Sequence, residues 1–211
     1  MESLGEFTRM VEKTRIFLFN LIGAVSFFVY GGFFTGYWLI IVSLPLTDYM
    51  WVLGLVGAVI LGIGLSFFSS TLPWPKIKAI KELRRSSLRW LVSFVLPFII
   101  AYNIMPLIID VSPEVMEKLV YILWYPSLGV ALILAHTLVM RPLGKLNPGL
   151  IKSKPFLVAG VIILATTPMV FIVLWLIGTS NAWTLALGLM IIAYTTSGVY
   201  SLSSALRVFE E

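Results

Sequence analysis

The sequence predicts an all-α integral membrane protein, a bundle of six transmembrane helices with both termini in the cytoplasm. Three observations predict it. Hydrophobic residues make up 59% of the 211-residue chain and charged residues only 12%, where soluble domains carry about a quarter charged. Water cannot be kept from so much apolar surface, so the solvent is lipid. Six apolar stretches reach the roughly 20 residues that cross about 30 Å of hydrocarbon: Ile16–Val42, Trp51–Leu72, Trp90–Ile109, Leu119–Met140, Phe156–Ile177 and Trp183–Leu206. Finally, of the 15 Lys and Arg residues only Lys118 falls in an odd-numbered connection. By the positive-inside rule this orients a multi-pass protein of the cell membrane.

In chain order, residues 1–15 read as an amphipathic helix on the inner membrane face. Ser3 and Glu6 have capping-box spacing, and Leu4, Phe7 and Val11 share one side. They are too polar, and the next stretch too long, for a signal peptide. The first span is about 40 Å long if wholly helical, so it tilts, bends near Gly31-Gly32 or runs beyond the bilayer. Tyr37, Trp38, Tyr49 and Trp51 flank the first outer loop, Trp74 and Trp90 bracket the basic loop, and Trp175 and Trp183 border the last outer turn, as interfacial anchors do.

The basic loop, residues 73–89, holds Lys76, Lys78, Lys81, Arg84, Arg85 and Arg89 against Glu82. The first five are candidate contacts for anionic lipid, with Trp74, Ile77 and Ile80 on the apolar side; the plainer reading is a solvated loop whose charge only sets topology. Residues 141–155 form the second basic loop, and 207–211 a cytoplasmic tail. The acidic outer connections hold Asp48, Asp110, Glu114 and Glu117. Pro97 and Pro106 bend span 3, Pro126 bends span 4 near its outer end, and Pro168 bends span 5.

Span 2 carries small residues every fourth position, Gly54, Ala58, Gly62, Ser66 and Ser70, on one helix face. Such a face lets another backbone approach closely, within the bundle or on a second subunit. Span 6 repeats the ladder at Ala193, Ser197, Ser201 and Ala205, and span 1 adds Gly32 and Gly36. Leu53-Gly54-Leu55 matches Leu187-Gly188-Leu189, and Gly64, Ser69, Ser70 and Leu72 then match Gly198, Ser203, Ser204 and Leu206 without gaps. That faint repeat allows three parallel helical hairpins.

Polar side chains within the spans are the candidates for function. Thr196, Ser197, Tyr200, Ser201 and Ser204 in span 6, with Asn103 and His136, form a candidate polar groove beside span 2. The alternative is that the hydroxyls bond their own backbone, that Asn103 bonds a freed carbonyl and that His136 bonds a hydroxyl such as Thr137 or Ser204. Chemistry finds little footing. Cysteine is absent and His136 is the single histidine, which leaves no ligand set for haem, zinc or iron–sulfur clusters, and no cofactor is expected. No charged residue sits in mid-span, as ion-coupled carriers require, and no hydrolase or metalloprotease motif occurs.

The expected function is therefore a subunit or homo-oligomeric scaffold of a membrane complex. The alternative is a passive path for a neutral solute or lipid, and a membrane-embedded enzyme comes third. The expected partners are the bilayer with its anionic lipids and a membrane protein or a second copy, not nucleic acid. The absence of Cys and Gln leans towards a thermophilic, archaeal source.

Overall fold

Apolar runs with no polar turn between their ends fold as helices in lipid, because only a helix satisfies every backbone group within its own segment. The computed structural model of the protein describes residues 2–44, 52, 54, 56–64, 87–146 and 149–210, with the backbone alone at 2–4 and 87. Among these residues every regular element is helical. Five helical stretches are long and apolar enough to cross a membrane: Gly5–Ser43, Leu88–Ile108, Trp124–Leu146, Pro155–Leu176 and Thr179–Phe209. Their outer faces present Val161, Ile172, Leu176, Ile192 and Val199 in the open, an apolar exterior that only a bilayer accommodates. The chain is a membrane protein.

Helix α1 (Glu2–Val29) passes through a π turn at Tyr30–Phe34 into α2 (Thr35–Ser43). Residues 2–15 are thus the first turns of the long first helix and are not set apart from it by a break. Phe7, Met10 and Val11 there are exposed; Ser3 and Leu4 have no described side chains. The π turn falls on Gly31-Gly32, where the sequence predicts a bend. The Thr35 N–H reaches the Tyr30 carbonyl five residues back, and its hydroxyl donates to the same oxygen at 3.3 Å.

Span 3 is α3 (Ser87–Ile99), a π turn at Ile100–Ile104, and α4 (Met105–Ile108). Span 4 ends the same way, with α6 (Trp124–Ala135), a π turn at His136–Met140, and α7 (Arg141–Leu146). In both cases a proline, Pro106 or Pro142, stands two residues beyond the π turn. It offers no N–H to the carbonyl four residues back and its ring crowds that oxygen, and the preceding turn widens to i→i+5 bonds: Met105 N–H to Ile100, Arg141 N–H to His136.

Two predicted loops are shorter than expected. Residues 113–122 form helix α5 (Pro113–Ile122), opened by Pro113 with Glu114 in its first turn, and α7 carries span 4 past Met140. Pro126 cannot donate to the Ile122 carbonyl, and the helix breaks at Leu123, whose carbonyl instead takes the Ser127 N–H at 3.2 Å and the Ser127 hydroxyl at 2.7 Å. By contrast α8 (Pro155–Leu176) runs through Pro168 without interruption. Thr166 and Thr167 hydroxyls bond carbonyls of the turn before it, at 2.8 and 2.9 Å. Gly178, at φ 117° in the left-handed region that favours glycine, turns the chain into α9 (Thr179–Leu206).

Among the described residues the long helices form an arc in the order α3, α6, α8, α9, α1, and its two ends do not pack along their length. Neighbours in the arc are antiparallel. Phe17 meets Phe209, Phe27 meets Tyr194 and Trp38 meets Trp183 across α1/α2 and α9. Tyr125 meets Thr166 across α6 and α8. Backbones also approach closely there: a Cβ on Gly160 would stand 2.8 Å from the Gly129 carbonyl oxygen. Without a hydrophobic drive between helices, such close backbone approach supplies the dispersion contacts that hold them together. Arg9, Lys152 and Arg207 mark one end of the bundle, here the basic end. Trp38, Trp124 and Trp183 cluster at the far end, where Lys118 lies 5.6 Å from the Trp175 ring.

Residues 56–64 are helical and run back along α2: Gly54 lies on Ile41, Gly57 on the Tyr37 ring, and Gly62 near Phe34. Tyr37 also donates to the Gly54 carbonyl at 2.8 Å. Gly54 and Ala58 are buried against the same chain. In span 1 the close approach is made by Gly31, whose added Cβ would meet the Tyr194 Cβ at 2.6 Å; Gly32 and Gly36, the glycines expected to pack, have nothing within 4 Å among the described residues.

Candidate functional site

Aromatic residues usually collect at the two membrane surfaces, but Phe27, Tyr30, Phe94, Phe156 and Tyr194 occur within apolar stretches. The structure gathers them, with Trp90, Ser26 and Leu132, around a cleft of about 390 Å³ between the two ends of the arc. A smaller lobe of about 170 Å³ continues towards the basic end; Ser26, Phe27, Trp90 and Phe156 wall both, and Phe19, Gly23, Met140 and Pro155 complete it. The larger hollow falls in the range of small-molecule sites, roughly 300–1,000 Å³.

The rings interlock. Phe27 lies edge-on to Phe156 at 5.0 Å and tilted on Tyr194 at 5.6 Å; Trp90 stacks on Phe94 at 5.8 Å and meets Phe156 at 5.6 Å. Trp90 therefore lines the cleft, where the sequence suggested an interfacial anchor. The π turn at Tyr30–Phe34 begins on a cleft residue, and the one at His136–Met140 ends on another. Such turns recur at functional sites because they shift the register of the side chains that follow.

Among the described residues no charged side chain lines either lobe. The Ser26 hydroxyl donates to its own Ile22 carbonyl at 2.9 Å, which leaves the tyrosine hydroxyls as the polar features of the larger lobe. Such a surface holds a hydrocarbon or flat neutral body by dispersion and ring contacts.

The residues singled out by sequence do not share one groove. Ser197 and Ser201, at 0% and 1% exposure, belong with Ala193 and Ala205 to the buried face of α9. Thr196 and Tyr200 are exposed on its outer side, and Ser204 donates to the Tyr200 carbonyl at 2.9 Å. Asn103 is exposed and donates to the Ile99 carbonyl at 3.3 Å. His136 pairs with neither hydroxyl proposed for it, since Thr137 donates to Leu134 and Ser204 to its own helix; Lys154 and Arg141 are its charged neighbours. Ser66, Ser70, Lys76, Lys78, Lys81, Arg84 and Arg85 lie outside the described residues, as do Tyr49, Trp51, Trp74 and Ser69. Among the described residues no group of three or more His, Asp and Glu side chains is placed to hold a metal.

Sequence reasoning missed Asn20, the centre of a buried polar clasp. At 3% exposure, its amide donates to the Ile16 and Leu150 carbonyls at 2.8 and 3.0 Å. Its side-chain oxygen accepts from the Lys152 N–H and the Ser153 hydroxyl, both at 3.3 Å. Ser153 and Ser201 hydroxyls meet at 2.9 Å, and Ser201 lies 3.2 Å from the Asn20 carbonyl. The clasp fixes the connection before α8 against α1 and α9, and so sets where Pro155 and Phe156 enter the cleft wall. No protein-family model matches the chain, and comparison with curated proteins and with solved structures finds no match.

Proposed function

We propose that this membrane protein is a non-enzymatic component that takes a neutral apolar guest, a lipid chain above all, into the aromatic cleft between α1 and α3. The observation that carries this reading is the cleft itself: an uncharged hollow of about 390 Å³ walled by five helices and sited where the arc fails to close. The small-residue ladders, which in sequence allow packing within the bundle or a face for another subunit, are turned inward at Ala193, Ser197, Ser201 and Ala205 and at Gly54 and Ala58. That weakens the scaffold reading relative to the passive one.

The test is reconstitution with a phospholipid carrying a diazirine on its acyl chain, followed by photolysis and peptide mapping. Adducts concentrated at residues 26–30, 90–94 and 194 are expected. Adducts confined to outward residues such as Val161 and Ile172 would sink the idea.

A second reading has its own observation. Thr195, Thr196 and Tyr200 are exposed on the outer side of α9, and hydroxyls facing hydrocarbon are costly. A polar-faced helix of a partner would satisfy them. Disulfide capture between copies through Thr196→Cys, in a chain with no other cysteine, distinguishes self-association from a lipid-facing surface.

A further inference from the structure

We infer that the guest is a neutral lipid whose head is a flat ring bearing carbonyl oxygens, the chemistry of a prenyl quinone, and that the Tyr30 and Tyr194 hydroxyls donate to a carbonyl of that ring. This rests on the cleft reading above and adds the chemical class of the guest and the two residues that recognise it.

An acyl chain alone gives the cleft little to select. Lipid tails are as apolar as a leucine side chain, so a chain that leaves the bilayer for the cleft exchanges like for like. Rings and hydroxyls are what the cleft offers and the bilayer does not. Phe27, Trp90, Phe94 and Phe156 wall it together with the two tyrosines, and aromatic faces and edges favour another ring beyond the area they bury.

The hydroxyls are the sharper observation. Tyrosines elsewhere in the bundle find partners: Tyr125 meets the Thr166 hydroxyl at 2.7 Å, and Tyr37 donates to the Gly54 carbonyl at 2.8 Å. Tyr30 and Tyr194 are half-buried on the cleft wall, and among the described residues neither hydroxyl has a hydrogen-bond partner. They are near enough to act on one another electrostatically. A hydroxyl left unanswered away from water is costly. Each has a proton to donate, and a carbonyl oxygen with its two lone pairs accepts from both.

Depth decides which carbonyl. Tyr194 stands midway along Thr179–Phe209, about 22 Å from either end of that stretch. The Phe27 ring lies 5.6 Å from its ring and Gly31 lies against its Cβ, which holds Tyr30 at the same level. Phospholipid esters sit at the surface of the hydrocarbon, about 15 Å from its midplane. A carbonyl that meets the two hydroxyls therefore belongs to a lipid with no charged head, free to sink into the bilayer, and the ring walls choose a cyclic one.

The experiment is equilibrium binding of tritiated decylbenzoquinone to the full chain in a non-ionic detergent, read by scintillation proximity. Decylbenzene and decyl acetate are the unlabelled competitors: the first keeps the ring without a carbonyl, the second a carbonyl without the ring. Saturable binding is expected, with unlabelled quinone competing about fivefold or more better than either, the order expected for one net hydrogen bond. Tyr30→Phe and Tyr194→Phe, which keep the rings, should each weaken the quinone about fivefold. The affinity of decylbenzene should not change in these variants, which also shows that they are folded.

Equal competition by decyl acetate removes the ring from the assignment, and equal competition by decylbenzene removes the carbonyl. A quinone affinity that survives both Phe substitutions, or a loss shared by decylbenzene, takes recognition away from the hydroxyls. Each of these overturns the inference while the cleft reading stands. Absence of saturable quinone binding overturns it too, and the diazirine lipid then decides the cleft separately: that reading survives if adducts still concentrate at residues 26–30, 90–94 and 194, and fails if they do not.

Discussion

Asn20 satisfies its amide on a connection 130 residues further along the chain, and its removal takes a bond from the buried Leu150 carbonyl and from the Lys152 N–H. Each buried donor or acceptor so stranded costs about 1–3 kcal/mol, and Asn20→Ala should lower stability by about 2 kcal/mol or more, read as the midpoint of thermal unfolding in detergent. Ser197 provides the contrast. Its hydroxyl is buried and has no hydrogen-bond partner among the described residues, so Ser197→Ala should leave stability within about 0.5 kcal/mol or raise it. At the α6–α8 crossing, Gly160→Ala would bring a Cβ to 2.7 Å from Ile133 Cγ1 and 2.8 Å from a backbone oxygen, and backbone does not swing aside; a loss of about 1–3 kcal/mol is expected. None of these three roles was legible in sequence. A lone Asn in an apolar run looks the same whether it bonds its own turn or a distant loop, and a glycine does not announce which helix it faces.

Helices pair in this bundle through few but specific contacts, and one joins α6 to α8: the hydroxyls of Tyr125 and Thr166 at 2.7 Å, with Tyr125 fully buried. A double-mutant cycle with Tyr125→Phe and Thr166→Val should give a coupling of about 0.6 kcal/mol and no more than about 1.7, the range of interhelical bonds in bilayers. A coupling near zero would mean that Thr166, already bonded to the Ile162 carbonyl, needs no partner on α6. At this scale the sequence was informative where a proline or a glycine pair acts on its own helix. Gly31-Gly32, Pro106 and Pro126 each mark an interruption, because the missing N–H or missing Cβ acts locally. Pro168 does not interrupt α8. The outcome at a proline depends on neighbours, and in α8 two threonine hydroxyls bond the carbonyls of the preceding turn.

Taken whole, hydropathy and the length needed to cross lipid located five long apolar helices but not all of their ends: α8 starts and stops within one residue of expectation, whereas the first helix starts at Glu2 and not Ile16, and span 4 runs past Met140 to Leu146. The cleft was not legible in the sequence, because an arc that fails to close is a property of which helices become neighbours. Geometry also bears on the count of crossings. Phe17 and Phe209 are in ring contact at 5.2 Å, so α1 starts at the end where α9 finishes. Trp90 against Phe156 starts α3 at that same end. The chain leaves α2 at the end opposite to the one where α3 begins, and six crossings with both termini on one side is the reading to test. Thr8→Cys and Glu210→Cys should react with a membrane-impermeant maleimide from the same face of sealed vesicles, and Asp110→Cys only from the other. Labelling of the first two from opposite faces would require an odd number of crossings.

The Asn20 clasp has a consequence for how the protein is made. Asn20 leaves the ribosome before its partners Leu150, Lys152 and Ser153, which emerge only after the helices through α7 have been synthesised. Until then its amide has only the Ile16 carbonyl of its own helix, and its side-chain oxygen lacks the two donors of the connection. Helix α1 is therefore made long before the contact that secures it. Chains halted before residue 149 should be recognised by membrane quality-control proteases and degraded faster than chains halted after α9.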